Sequence, residues 1–183
     1  MKNAFFILLA LLVLMSGAGP ANAQQTPPAD LSTILNYHEV SGNLTTAGQI
    51  DYDQIPILEE EGYEVVINLA TANPEANAEE GFHVSSAGIV YIQIPVDFAA
   101  PQLSDVQMFF DVMEANKDRK LFVHCIANFR ASAFVYLYRT LVEGVSDAEA
   151  KRDMEAVWDP GEQPRWAAWA ELIEQAQSEF GSR

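Results

Sequence analysis

Cysteine is nearly absent from this sequence: there is one, Cys125, in 183 residues. An internal disulfide is therefore excluded, and the thiol is either a buried apolar residue or a reactive group. Basic residues are scarce too. Ten Lys and Arg stand against 26 Asp and Glu, a formal charge of −16. That balance disfavours nucleic acid and anionic membrane surfaces, because both select positive patches. Histidine is limited to His38, His83 and His124. No pair of His or Cys and no carboxylate cluster has the spacing of metal ligands, so neither a metal nor another cofactor is expected. Repeats and low-complexity segments are also missing.

Long apolar runs are missing as well, apart from Ala4 to Met15 near the start. Twelve residues are too few to span a bilayer, which takes roughly 20, so no membrane insertion is expected. Lys2 precedes the run, and Ser16, Gly17, Gly19 and Pro20 followed by Ala21-Asn22-Ala23 close it. A positive start, a short apolar stretch and an A-x-A site describe a secretory signal peptide over 1–23, cut after Ala23. Removing it takes away Lys2 and no acid, which brings the formal charge from −16 to −17. The expected location is periplasmic or secreted. Residues 24–30 (QQTPPAD) read as a polar, proline-bearing tail, and 31–183 as one domain with a full core.

What is present alternates between strand and helix. Strands are expected at Ile34 to Val40, Glu64 to Ala70, Ile89 to Val96 and Lys120 to Cys125. Ser41-Gly42-Asn43 reads as a turn. A short helix is expected over Asp53 to Glu61, stopped by Gly62, and another from Asn73-Pro74 to Gly88. Ser104 with Gln107, and Ser146 with Glu149, read as capping boxes opening two further helices. Arg130 to Glu143 has helical periodicity, and Pro164 opens the last helix. The alternation predicts an α/β fold with a mostly parallel central sheet flanked by helices. Ligands in such folds bind beyond the carboxyl ends of the strands, and Cys125 lies at one of those ends. Trp158, Trp166 and Trp169 are expected to anchor the late helices to the core, and His38 and His83 to lie on the surface.

The stretch VHCIANFRAS, Val123 to Ser132, therefore joins a strand to a helix through a tight loop. Free N–H groups at a helix start favour negative charge. Here they would stabilise a Cys125 thiolate and bind an anion through Ile126, Ala127, Asn128, Phe129 and Arg130. The Arg130 guanidinium is a planar fork suited to phosphate or sulfur oxyanions. Asn128 tolerates the left-handed conformation that a ring-shaped loop requires.

The segment resembles the phosphate-binding loop of cysteine-dependent phosphatases of the protein tyrosine and dual-specificity type. Ser41-Gly42-Asn43, then GYEVVINLAT, GIVYIQIPVD and LFVHC, follow the order seen in bacterial members, including the phosphatase-like domain of β-lactamase-hydrolase-like proteins. The resemblance spans roughly Ile34 to Leu141. It implies a protein tyrosine phosphatase-like fold and hydrolysis of phosphate monoesters, carried by a phosphorylated protein or a small phosphate ester. Cys125 would be the nucleophile, His124 the residue that orients the loop, and Ser132 the hydroxyl that assists the leaving thiolate. Asp97, 28 residues before Cys125, would be the general acid, with Asp105 the alternative.

One spacing departs from the family. Four residues, not five, separate Cys125 from Arg130, and Ala131 holds the usual arginine position. Asn128 stands where the motif has its central glycine, and Ser132 where it has Ser or Thr. A shorter ring is also the hallmark of rhodanese sulfurtransferases, which carry a persulfide on the cysteine. That chemistry, and a silent fold that only binds an anion or a partner, remain open alternatives.

Overall fold

The computed structural model describes residues 30–181, so the expected signal peptide and all of the tail before Asp30 lie outside the described residues. Five strands form one sheet: β1 (His38–Ser41), β2 (Leu44–Ala47), β3 (Val65–Asn68), β4 (Val90–Gln93) and β5 (Leu121–His124). Their order is β1-β2-β5-β3-β4. Only β1 and β2 pair antiparallel; β2 with β5, β5 with β3 and β3 with β4 all run parallel. Among the described residues six helices surround them: α1 (Ile55–Glu60), α2 (Glu80–Ser86), α3 (Leu103–Asn116), α4 (Phe129–Leu141), α5 (Asp147–Glu155) and α6 (Ala167–Phe180). The predicted α/β architecture with a mostly parallel sheet is thus the observed one.

The two-residue period of a strand decides which side chain meets which layer. Leu121 and Val123 of β5 pack with α3, α4, α5 and α6 on one face, while Phe122 packs with α1 and α2 on the other. Val65 and Ile67 of β3 join the first face and Val66 the second. Alternation then carries His124 toward the α2 layer and Cys125 into the α4 layer. The parallel register keeps the strand ends level, with Ala47, His124, Asn68 and Gln93 in one row. Loops leaving that row share one edge of the sheet, where the cysteine loop lies.

Several elements differ from the sequence expectation. The strand predicted from Ile34 begins only at His38. Asp30 caps a 3-10 turn over Leu31–Thr33 by accepting from Ser32 N (2.8 Å), and Asn36 is left-handed at φ 52. Strand β2, LTTA, was not anticipated; it is short and buried along its whole length, so no alternation marks it. Asn73 organises turns rather than a helix, taking Glu75 N on its side chain (2.9 Å), and α2 starts at Glu80. The first capping box lies two residues upstream of Ser104 and Gln107, on Gln102 and Asp105. Ser146 does precede α5, but without a side-chain cap. His38 and His83 are half-buried, and His38 pairs with Asp153 at 3.0 Å. Trp158, Trp166 and Trp169 are buried, as expected of anchors, and Trp166 in addition lines a cavity at the cysteine loop.

Candidate active site

Strand β5 ends at His124, and α4 begins at Phe129, so Cys125 to Asn128 make the whole loop. Asn128 adopts φ 66, the left-handed conformation anticipated for it. Its side-chain Nδ2 donates to Asn36 O (2.6 Å) and Thr46 Oγ1 (3.0 Å). Asn36 answers with Nδ2 to Ala127 O (3.0 Å). Two left-handed asparagines therefore brace each other, and the loop is fixed from behind.

Accounting for the loop's backbone groups shows its chemical sense. Three of the loop's four carbonyls are engaged: Gln49 N–H donates to Ile126 O (3.1 Å), Asn36 Nδ2 to Ala127 O (3.0 Å), and Ser132 N–H to Asn128 O (2.9 Å), while Leu69 N–H donates to His124 O just before the loop (2.8 Å). By contrast, the N–H groups of Ile126, Ala127, Phe129 and Arg130 find no protein acceptor among the described residues. Three of four acceptors are turned away and donors are left over at the start of a 13-residue helix. Such an arrangement is an anion cradle.

Cys125 lies at the base of a cavity of about 540 Å³. The loop forms its floor; Phe98, Phe129 and Trp166 form aromatic walls, and Arg165 stands with them. Arg130 lines the cavity at 8% exposure, with its Nε buried and unpartnered. Its guanidinium carbon lies 5.3 Å from the Phe98 ring centroid, an aromatic face that holds a cation without neutralising it. Phe98 is itself fixed, packing on Trp169 (5.4 Å) while its carbonyl accepts from Trp169 Nε1 (2.9 Å). Among the described residues no carboxylate pairs with Arg130. An unpaired buried cation is costly unless an anion joins it.

On the other face of β5, His124 is fully buried and its Nε2 is 2.9 Å from Glu80 Oε1. Glu80 also accepts from Asn68 Nδ2 (2.9 Å) and from Gln49 Nε2. Burial alone would raise its carboxyl, but the hydrogen bond and attraction of His124, with Gln49 and Tyr91, hold it below its ordinary 4.5. The imidazole beside the nucleophile is thus clamped by a carboxylate at the start of α2. Gln49 joins this cluster to the cradle, because its backbone N–H binds Ile126 O.

The structure separates the remaining candidates. The Ser132 hydroxyl donates to Asn128 O (2.9 Å) and accepts from Trp158 Nε1 (3.1 Å). This hydroxyl thus ties the first turn of α4 to the loop. Asp105 takes Gln102 N (3.2 Å) as part of the α3 cap. Asp97 is exposed, its Oδ1 accepting from Ala99 N (2.9 Å), and it directly precedes the wall residue Phe98. Neither acid lines the cavity; Asp97 is the one next in sequence to a lining residue, Phe98. Sequence reasoning missed Glu80, Asn68 and Gln49, which look like ordinary polar residues until the parallel register brings them to the His124 row. It also missed Phe98 and Arg165 as wall residues. No group of three or more His, Cys, Asp or Glu side chains that could hold a metal occurs among the described residues.

Comparison with known proteins agrees with this geometry. A family model described as "DSP-PTPase phosphatase fused to NAD+ Kinase" matches residues 32–167. A DUF442 phosphatase-like protein from Shewanella putrefaciens CN-32 is 31% identical, with a TM-score of 0.72 over 82% of this chain and 96% of that one. P. aeruginosa TpbA in complex with pTyr shares the fold at 14% identity and a TM-score of 0.61, covering 87% of this chain and 99% of its own. Tk-PTP in its active form does so at 13% and 0.64, covering 79% and 97%. No curated protein sequence matches the chain. With the match running from Ser32 to Ala167 and the cysteine loop within it, the chain belongs to the DSP-PTPase family of protein tyrosine phosphatase-like cysteine phosphatases.

Proposed function

We propose that the protein is an exported cysteine-dependent phosphatase that hydrolyses phosphate monoesters through a phosphocysteine. The observation that supports this best is the cradle: free N–H groups and the unpaired Arg130 surround the one cysteine of the chain. The Cys125 thiolate attacks phosphorus, an S–P bond forms, and the bond from phosphorus to the ester oxygen breaks. Asp97, as the acid, gives its proton to the departing oxygen. The cradle and Arg130 hold the three non-bridging oxygens, whose charge is greatest as the bonds exchange. Water then attacks phosphorus, Asp97 takes back a proton, and inorganic phosphate leaves with the thiolate restored. His124, held by Glu80, orients the loop, and Ser132 braces it through Asn128 O.

The short ring fits this reading because Arg130 need not close the loop from inside. It lines the cavity with its guanidinium carbon 5.3 Å from the Phe98 ring centroid.

The test is phosphate release from an aryl phosphate by the chain starting at Gln24, with Cys125→Ser beside it. Replacing the nucleophile is expected to cut kcat by at least about a thousandfold. Thiocyanate formed from thiosulfate and cyanide, with no phosphate release, would instead establish a sulfurtransferase. Export is tested by the mass of the protein recovered from the cell envelope, where a chain still carrying residues 1–23 would overturn it.

A further inference from the structure

The cavity is much larger than a phosphate group needs. About 540 Å³ lies within the range of roughly 300–1,000 Å³ that encloses a whole small ligand. Beyond the cradle its walls are the aromatic side chains of Phe98, Phe129 and Trp166, surfaces suited to a flat apolar group. Its charged lining consists of two residues, Arg130 and Arg165, with no carboxylate among the lining residues. In a chain with 26 acids and ten basic residues, such a lining is not what a random surface would offer.

The two arginines are held at different depths. Arg130 is buried, whereas Arg165 is exposed. Arg165 is nevertheless placed by the fold. Pro164 opens the 3-10 turn Pro164–Trp166 and fixes the backbone ahead of it, and the following Trp166 is buried. The guanidinium carbon of Arg165 lies 4.8 Å from the Trp166 ring centroid, an arrangement that leaves the edge of its donor fork free. No carboxylate pairs with it among the described residues. Hydrolysis as set out above uses Arg130 and leaves Arg165 without a task.

We infer that the site binds an aryl phosphate monoester whose leaving group carries a second anionic group. The phosphate lies at Arg130, the ring between the aromatic walls, and the second anion at Arg165. This deepens the phosphatase reading and rests on it for the direction in which the ester binds. It also gives the segment beyond the hydrolytic loop a part in choosing the substrate.

The experiment measures binding to the Cys125→Ser protein by calorimetry, with phenyl phosphate and 4-carboxyphenyl phosphate as probes. The carboxylate is expected to tighten binding about three- to tenfold, as one partly exposed charged pair would. In Cys125→Ser combined with Arg165→Gln, the ratio of the two dissociation constants is expected to fall to about one. A second pair, phosphotyrosine peptides with Asp or Asn after the phosphorylated residue, tells whether the anion comes from a free ester or a polypeptide. Dependence on Arg165 in either pair supports the inference. A ratio near one in both pairs with Arg165 present, or a ratio that survives Arg165→Gln, overturns it. Turnover by the protein with Cys125 intact separates the two readings. Phosphate release with a ratio near one sinks this inference alone, and an Arg165-dependent ratio without release sinks only the hydrolytic reading.

Discussion

Glu80 is one carboxylate among 26 acidic residues, and nothing local in the sequence singles it out. Its partner His124 is 44 positions away, and only the parallel pairing of β3 with β5 sets Asn68 beside His124 and both beside α2. Because its carboxyl is held below 4.5 in the folded chain, the unfolded chain binds more protons as pH falls through that region. The stability it contributes is therefore complete above about 4.5 and is lost as pH falls through the lower, folded value. Glu80→Gln keeps the shape and removes this dependence, so its stability should fall less steeply than the parent's below about pH 5. Denaturant unfolding at a series of pH values checks this, and identical slopes would refute it. At neutral pH, Glu80→Ala strips a buried partner from His124 and should cost about 3–5 kcal/mol. By contrast, Cys125, His124 and Arg130 were legible from sequence because one strand-loop-helix junction places them.

At the scale of elements, the parts that local chemistry specifies are those the sequence reveals. Gly62 and Gly88 end α1 and α2 at positive φ (79 and 80), and the Ser41–Asn43 turn joins β1 to β2. What escaped were elements defined by distant partners. β2 gains its place by pairing with β5 around residue 121, and α2 starts late because asparagine side chains at 73 and 77 hold the preceding turns. Gly48, just beyond β2, shows how tightly one element constrains another. A Cβ there would lie 2.7 Å from Leu35 O and 3.0 Å from Ile126 O, both backbone atoms. Gly48→Ala must therefore move the cradle's back wall. We expect a loss of about 1–3 kcal/mol and at least a tenfold fall in kcat/KM, measured under conditions where the variant is fully folded. An unchanged kcat/KM would show that the cradle tolerates displacement.

Across the whole molecule, a formal charge of −16, or −17 without residues 1–23, surrounds a site with free N–H groups and an unpaired arginine. At long range the repulsion governs approach, while the arginines act only close by. Salt screens the long-range part first, the Debye length shrinking from about 30 Å at 0.01 M to about 8 Å at 0.15 M. The second-order rate constant for a doubly charged phosphate ester should then rise a few-fold over that range. A steady fall with salt would mean that attraction by the site already dominates at a distance.

The mutual bracing of Asn36 and Asn128 carries a last implication, for how the site comes into being. Its hydrogen bonds close separations of 91 and 92 residues, and the one to Thr46 closes 82. Contacts of that span are made late, after much of the chain has already lost its freedom. A fragment containing the cysteine loop alone lacks these bracing partners, so the loop's observed shape belongs to the finished domain. Ligand and fold are then linked in both directions. An anion that settles over Cys125 opposes the unfolding of residues at the far end of the sequence.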